Sequence, residues 1–288
     1  DEVKLIGGFQ TNKIGDLALN TVPRAGAIWT PTNPIGVNAL YGQAFRAPSL
    51  DENLLNHPVI KGNPDLLPGT VGTFNVGIGC QRNRFQIGVD YFHSKQSNLI
   101  TDIPSIPDIV PFHYVNVGEI AFHGAELEGK YYFGKDFFVQ GSFLYQTNED
   151  GNGNANVSPV PDFGFKAGMS YENRRGLTLS LFDVSGGPIN GAAYTQDIDP
   201  GPGWHHVINA HLRYDFSKYL PPTAKYGVAL AAHANNPINR EVWLPSGLYS
   251  TAWTASRLSR GVSFTWGLNS PRAGSGRPTS EETPCAHD

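Results

Sequence analysis

Apolar and polar residues alternate one by one along much of this chain, in segments of about ten positions. Between Arg84 and Tyr91 the residues Phe85, Ile87, Val89 and Tyr91 alternate with Gln86, Gly88 and Asp90. From Phe163 to Glu172 the set Phe163, Phe165, Ala167, Met169 and Tyr171 alternates with Gly164, Lys166, Gly168, Ser170 and Glu172. From Trp204 to Phe216 the set Ile208, Ala210, Leu212, Tyr214 and Phe216 alternates with Asn209, His211, Arg213 and Asp215. A period of two sends successive side chains to opposite faces of a β-strand, so each segment predicts a strand with one apolar and one polar face. Twelve such segments are expected, near 3–10, 22–30, 36–46, 70–80, 84–96, 112–133, 136–147, 162–172, 175–185, 203–216, 224–234 and 257–268. Their connections alternate in length. Tight ones fall at Pro31-Thr32-Asn33-Pro34, Gln81-Arg82-Asn83, Gly134-Lys135, Asn173-Arg174 and Pro221-Pro222. Long ones cover 47–69, 97–111, 148–161, 186–202 and 235–256, with a shorter member near 11–21. Up-and-down strands send neighbouring turns to opposite ends, so one end carries the tight turns and the other the long loops.

That asymmetry separates the all-β readings. In a soluble β-sandwich the apolar face is the core. In an outer-membrane barrel it meets lipid, the polar face lines the lumen, turns are short on one side, and aromatic residues gather at strand ends. Aromatic residues do gather there, at Tyr91 and Phe92, Tyr131 to Phe133, Phe137 and Phe138, Trp204, Trp243 and Trp266. The pattern favours an antiparallel up-and-down transmembrane β-barrel. The rivals are a soluble β-sandwich binding protein and a passive porin-like channel that closes on its own.

Composition narrows the choice. Charged residues are 16% of the chain, against roughly 25% in an average domain. Gly and Pro number 33 and 22, as many turns require. The mean hydropathy of -0.28 is what strands with one polar face produce. No apolar run is long enough for a membrane-spanning helix, and a net charge of -4 argues against nucleic acid as a partner. Two cysteines, Cys80 and Cys285, make neither a disulfide framework nor a zinc site. The single methionine is Met169 and no signal segment leads the chain, so the sequence is expected to be a processed product or a fragment.

Two motifs then resemble a known family. Tyr41-Gly42-Gln43-Ala44-Phe45-Arg46-Ala47-Pro48-Ser49-Leu50 is similar to the "Y-x-x-x-F-R-A-P-S-L" strand end of TonB-dependent outer-membrane receptors, and Gly62-Asn63-Pro64-Asp65-Leu66-Leu67-Pro68 to their "G-N-P-x-L-x-P" loop. Tyr114-Val115-Asn116 and His123-Gly124-Ala125-Glu126-Leu127-Glu128 resemble the family's "Y-x-N … x-G-x-E-x-E" stretch, and Asn235-Asn236-Pro237 echoes a later one. Ser259, Gly261, Phe264 and Trp266 resemble the terminal-strand signal read by the barrel-assembly machinery.

The resemblance implies that residues 1–268 form the C-terminal part of a barrel of about 22 strands, with 269–288 a disordered tail. It implies a Gram-negative-type outer membrane, lipid around the barrel, and uptake of a ferric siderophore or similar scarce nutrient. The TonB energy-coupling system would act only through N-terminal regions that this chain lacks.

Several residues carry candidate chemistry. Glu126 and Glu128 share one strand face, with Leu127 on the other; lumen lining is favoured over acid–base work, which needs a dry cleft. Arg46 is expected to reach loop carbonyls or a plug carboxylate, and Pro48 and Pro64 to stiffen their loops. His57 lies where haem-uptake members of the family carry an axial ligand, which makes a haem receptor the alternative within the family. The stretch Asn148 to Asn154 offers alternating oxygen donors but does not fit a calcium loop. His205 and His206 point to opposite faces and cannot chelate one ion together. No spacing predicts an enzyme, a cofactor or a resident metal.

Overall fold

The computed structural model describes residues 2–13, 19–106, 109–158, 160–189, 203–220, 227–246, 254–257 and 261–269. All twelve expected strands are present. They are β1 (Glu2–Asn12), β2 (Asn20–Thr32), β3 (Ile35–Arg46), β5 (Gly69–Arg82), β6 (Phe85–Ile106), β7 (Ile109–Tyr132), β8 (Phe137–Asp150), β9 (Phe163–Glu172), β10 (Leu177–Gly186), β11 (His205–Asp215), β12 (Gly227–Asn235) and β15 (Gly261–Asn269). A short helix α1 (Leu50–Leu54) and strand β4 (Ile60–Lys61) lie between β3 and β5, and a 3-10 turn (Phe216–Tyr219) follows β11. Strands β13 (Trp243–Ser246) and β14 (Thr254–Arg257) form a separate hairpin between β12 and β15.

The twelve strands make one antiparallel sheet in sequence order, β1-β2-β3-β5 through β12-β15, with β4 added in parallel to β7. The sheet is open: β1 and β15 are its two ends and do not pair with each other. Left-handed residues close the tight turns at one end. Asn83 (φ 30), Gly134 (φ 85) and Gly176 (φ 91) supply the positive φ that such reversals need. The 97–111 stretch differs from expectation. It is not an irregular loop; β6 and β7 run on through it as one long ladder, with a register shift between Pro104 and Ile106. Proline lacks an N–H, and at a hairpin extension the missing donor is absorbed by that shift. Ser259, Cys285, Pro221-Pro222 and the tail after Asn269 lie outside the described residues.

The two faces differ as the alternation predicts. On one face Ile87, Val89, Leu127, Phe165 and Met169 are 44 to 48% exposed. Among the described residues, the buried aliphatic side chains are Val22, Leu66, Ile189, Ala229 and Val242. A sandwich would bury that face under a second sheet; here it stands uncovered, as a face meant for lipid does. Two aromatic rows bound it. Tyr41, Phe74, Tyr91, Tyr145, Phe163 and Trp204 lie towards the long-loop end, with Phe163 tilted against Tyr145 (5.2 Å) and stacked on Trp204 (6.3 Å). Tyr131, Phe133, Phe137, Tyr171 and Tyr214 lie towards the tight turns, Phe133 packing on Tyr131 (4.7 Å) and Phe137 (5.5 Å). Phe137 and Tyr145 are eight residues apart on β8, about 26 Å along a strand and close to the ≈ 25 Å apolar band of outer-membrane barrels.

Candidate functional site: the concave face and the long-loop end

The polar positions converge on the other face, which curls around a hollow of about 1310 Å³. Asn38, Asp90, Glu126, Glu128, Lys130 and Lys166 line it, contributed by β3, β6, β7 and β9. Register puts Asn38, Gly77, Asp90 and Glu126 in one cross-strand row, and Glu128, Ser142 and Lys166 in the next. Glu126 and Glu128 therefore face the hollow, and Leu127, 45% exposed, faces outward. Asp90 and Glu126 face each other across β6 and β7, Glu128 follows on the same face, and Lys130 and Lys166 bring ammonium groups to the same wall.

Glycines make room for the larger side chains of the wall. A Cβ on Gly77 would collide with the Asp90 carboxylate, and one on Gly168 with the Phe182 ring. Gly124 of the "x-G-x-E-x-E" stretch sits under Phe92, whose Cζ would lie 2.8 Å from an added Cβ. Lys130 lays its ammonium 4.0 Å from the centre of the Phe138 ring and 4.9 Å from that of Tyr132, a cation–π contact at the tight-turn end of the wall.

The motif residues at the long-loop end form a tied platform. Ser49 caps α1: its Oγ accepts the Glu52 N–H (3.2 Å) while its own N–H donates to Glu52 Oε2 (2.7 Å). Arg46 closes on the same carboxylate in a two-pronged pair, both contacts at 2.9 Å. Among the described residues, the carboxylate that Arg46 holds is the chain's own Glu52, six residues on. The Arg46 hydrogen bonds first, and the Ser49 donors with them, hold the Glu52 carboxyl below its usual pKa range. Phe45 pairs with Thr70 in the ladder, Ala47 and Pro48 lead from β3 to the cap, and Pro48 is buried.

The second motif wraps this helix. Gly62 donates to Leu55 O (2.7 Å) and Asn63 to Glu52 O (2.7 Å). A Cβ on Gly62 would sit 2.6 Å from the α1 backbone, so only glycine fits there. Asn63 Oδ1 accepts the Asp65 N–H (2.9 Å) across Pro64, and its Nδ2 donates to Tyr114 O of β7 (3.0 Å). Leu66 is buried at 3% exposure beneath the loop. Asn116 completes the clamp: its Oδ1 accepts from Leu67 N (2.7 Å), and its Nδ2 donates to Leu67 O (2.9 Å) and Asn98 O (3.0 Å). Sequence reading noted Asn116 as part of a motif but missed this clamp, and it missed Glu52, although Ser49-x-x-Glu52 is a recognisable capping pattern.

The remaining candidates are placed as follows. His57 lies in this platform with its Nδ1 accepting the Val59 N–H at 3.2 Å. That bond puts the neutral ring's proton on Nε2, the nitrogen an incoming iron would need. In the Asn148–Asn154 loop, Asp150 Oδ1 accepts from the Asn152 and Asn154 amides and Oδ2 from Asn154 Nδ2, all at 2.8 to 2.9 Å. Its oxygens close a turn. His206 Nδ1 contacts Ser185 Oγ (2.8 Å), while His205 lies over Gly186, which keeps the two rings apart. Gly261, Phe264 and Trp266 stand opposite Asn235, Ala232 and Leu230 in the β12–β15 register. Among the described residues no group of three or more His, Cys, Asp or Glu side chains could hold a metal ion.

Comparison with known proteins follows the same division. The family model described as TonB dependent receptor-like, beta-barrel matches residues 7–236. No curated protein sequence matches the chain. Among solved structures, the siderophore receptor PirA from Pseudomonas aeruginosa aligns with a TM-score of 0.62 at 17% identity, over 82% of this chain and 40% of PirA. The copper transporter OprC aligns at 0.64 and 16% identity, over 92% of this chain and 45% of OprC. The FrpB iron transporter from Neisseria meningitidis, in its F5-1 variant, aligns at 0.61 and 17% identity, over 92% and 43%. The chain spans less than half the length of each.

Proposed function

Because this chain belongs to the TonB-dependent receptor-like β-barrel family, whose barrels lie in the Gram-negative outer membrane, we propose that it builds part of the wall and external loops of an energy-coupled receptor for a ferric siderophore or a comparable scarce metal chelate. The observation that carries this reading is the division of one sheet into two surfaces. The outer face is apolar between two aromatic rows, and the concave face carries Asp90, Glu126, Glu128, Lys130 and Lys166. A wall of mixed charge suits a hydrated, polar cargo. The platform of α1 and residues 60–68, tied to β3 and β7, gives the long loops a fixed base from which to hold a ligand. PirA is a siderophore receptor and FrpB an iron transporter, and their likeness in fold supports the ligand class. The energy-coupling partner would act through other parts of the receptor.

The test is uptake of a radioiron-labelled chelate by the host bacterium with and without the gene that encodes this chain. Loss of uptake in the deletion strain, and its collapse in the parent when a protonophore dissipates the proton-motive force, are expected. Uptake that survives the protonophore would point to the porin-like reading instead.

A further inference from the structure

His211 on β11 and His233 on β12 stand directly opposite each other across the ladder. Their rings are stacked with centroids 4.4 Å apart and planes 16° from parallel. Both lie on the concave face, in the cross-strand row that continues through Ser180 and Ser170, whose hydroxyls are 2.8 Å apart. We propose that this pair is a binding site for a divalent transition-metal ion, Cu²⁺ foremost and Zn²⁺ or Ni²⁺ more weakly, set in the wall of the lumen.

Three observations carry the assignment. The first is availability. Both residues are half-buried, and neither ring makes a hydrogen bond among the described residues. His57, His123 and His206 differ, since each has a ring nitrogen engaged by a neighbour. Their half-exposed rings leave the nitrogens open to an incoming ion.

The second is distance. Imidazole nitrogens bind such ions at about 2.0–2.1 Å, so two nitrogens on one ion stand a few ångströms apart. Rings whose centres are 4.4 Å apart reach that geometry by a modest turn about χ2, which is a broad torsion. The other stacked histidines, His93 and His123, are 6.4 Å apart, and His123 Nε2 lies 2.9 Å from Thr147 Oγ1. They do not meet the same condition.

The third is donor chemistry. Arg213, two residues along the same strand and face, is paired with Asp215 at 2.9 Å, which offsets its charge. The donor set is two imidazole nitrogens plus water. It suits Cu²⁺, at the head of the affinity order for nitrogen ligands, and not the hard cations that take all-oxygen shells. With two protein ligands, the other coordination positions stay open to water or to donors of a passing chelate, so binding is reversible. The site is a property of the folded sheet and does not depend on the uptake reading.

The experiment is a Cu²⁺ titration of the full chain folded in detergent micelles, followed by electron paramagnetic resonance. One bound Cu²⁺ per chain, with hyperfine structure from two imidazole nitrogens, is expected. His211→Gln and His233→Gln keep a polar side chain, and each should weaken binding by roughly tenfold or more and remove the two-nitrogen pattern. His93→Gln and His123→Gln should leave both unchanged. Heat-modifiable migration checks that each variant folds. Binding that survives in both His211→Gln and His233→Gln, or absence of bound Cu²⁺ in the unmodified chain at micromolar concentration, would overturn the proposal. Loss of iron uptake would not bear on it.

Discussion

Arg46 and Asn116 carry the residue-scale lesson: side chains that read as family motif act here as fasteners. Arg46 and Ser49 converge on one carboxylate, Glu52. The pair is partly exposed, with Arg46 at 57% and Glu52 at 14%. Glu52→Gln should therefore lower the local opening free energy of residues 49–68 by about 1 kcal/mol, read as faster hydrogen exchange there and nowhere else. Its pH dependence has a fixed sign. The folded-state pKa of Glu52 is lowered, so its contribution is complete above the unfolded value of about 4.3 and is lost as pH falls through the lower folded one. Exchange in this segment should rise only on acidification past that window, and the Gln variant should be insensitive to it. Asn116→Leu removes the two bonds to exposed Leu67 and the part-buried one to Asn98 O, and should cost about 1–2 kcal/mol in denaturant titration. The capping pair went unread although Ser-x-x-Glu is a local pattern that the sequence displays. The Asn116 clamp was not legible: its partner Leu67 is 49 residues away, and no local pattern encodes such a contact.

At the scale of the strand, alternation was the most legible signal, because one residue of slip would turn every apolar side chain into the hollow. It locates all twelve strands. It failed at 97–111, where prolines and mixed polarity read as loop. There a long antiparallel partner supplies the hydrogen bonds. The two faces also predict opposite tolerance. Leu127→Arg places a charge against the lipid and should cost about 2–4 kcal/mol in folding into bilayers. Glu128→Arg, one residue along, enters the wet hollow and should change the same titration little. Equal losses at the two positions would contradict the assignment of faces. Gly168→Ala should destabilise by about 1–3 kcal/mol, since the new methyl group displaces the Phe182 ring that lies over β9.

Across the whole molecule, each strand of the main sheet pairs with the strand next in order, and the path departs from this only at the α1–β4 platform and the β13–β14 hairpin. That order has a kinetic meaning. Most contacts join near neighbours along the chain, so little loop entropy is spent before pairing is rewarded, and assembly can advance one hairpin at a time. The longest gaps, 47–68 before β5 and 236–260 before β15, ask most of loop closure. Until those gaps close, β3 and β12 each present an unpaired edge, and these are the places where the forming sheet is open to another chain.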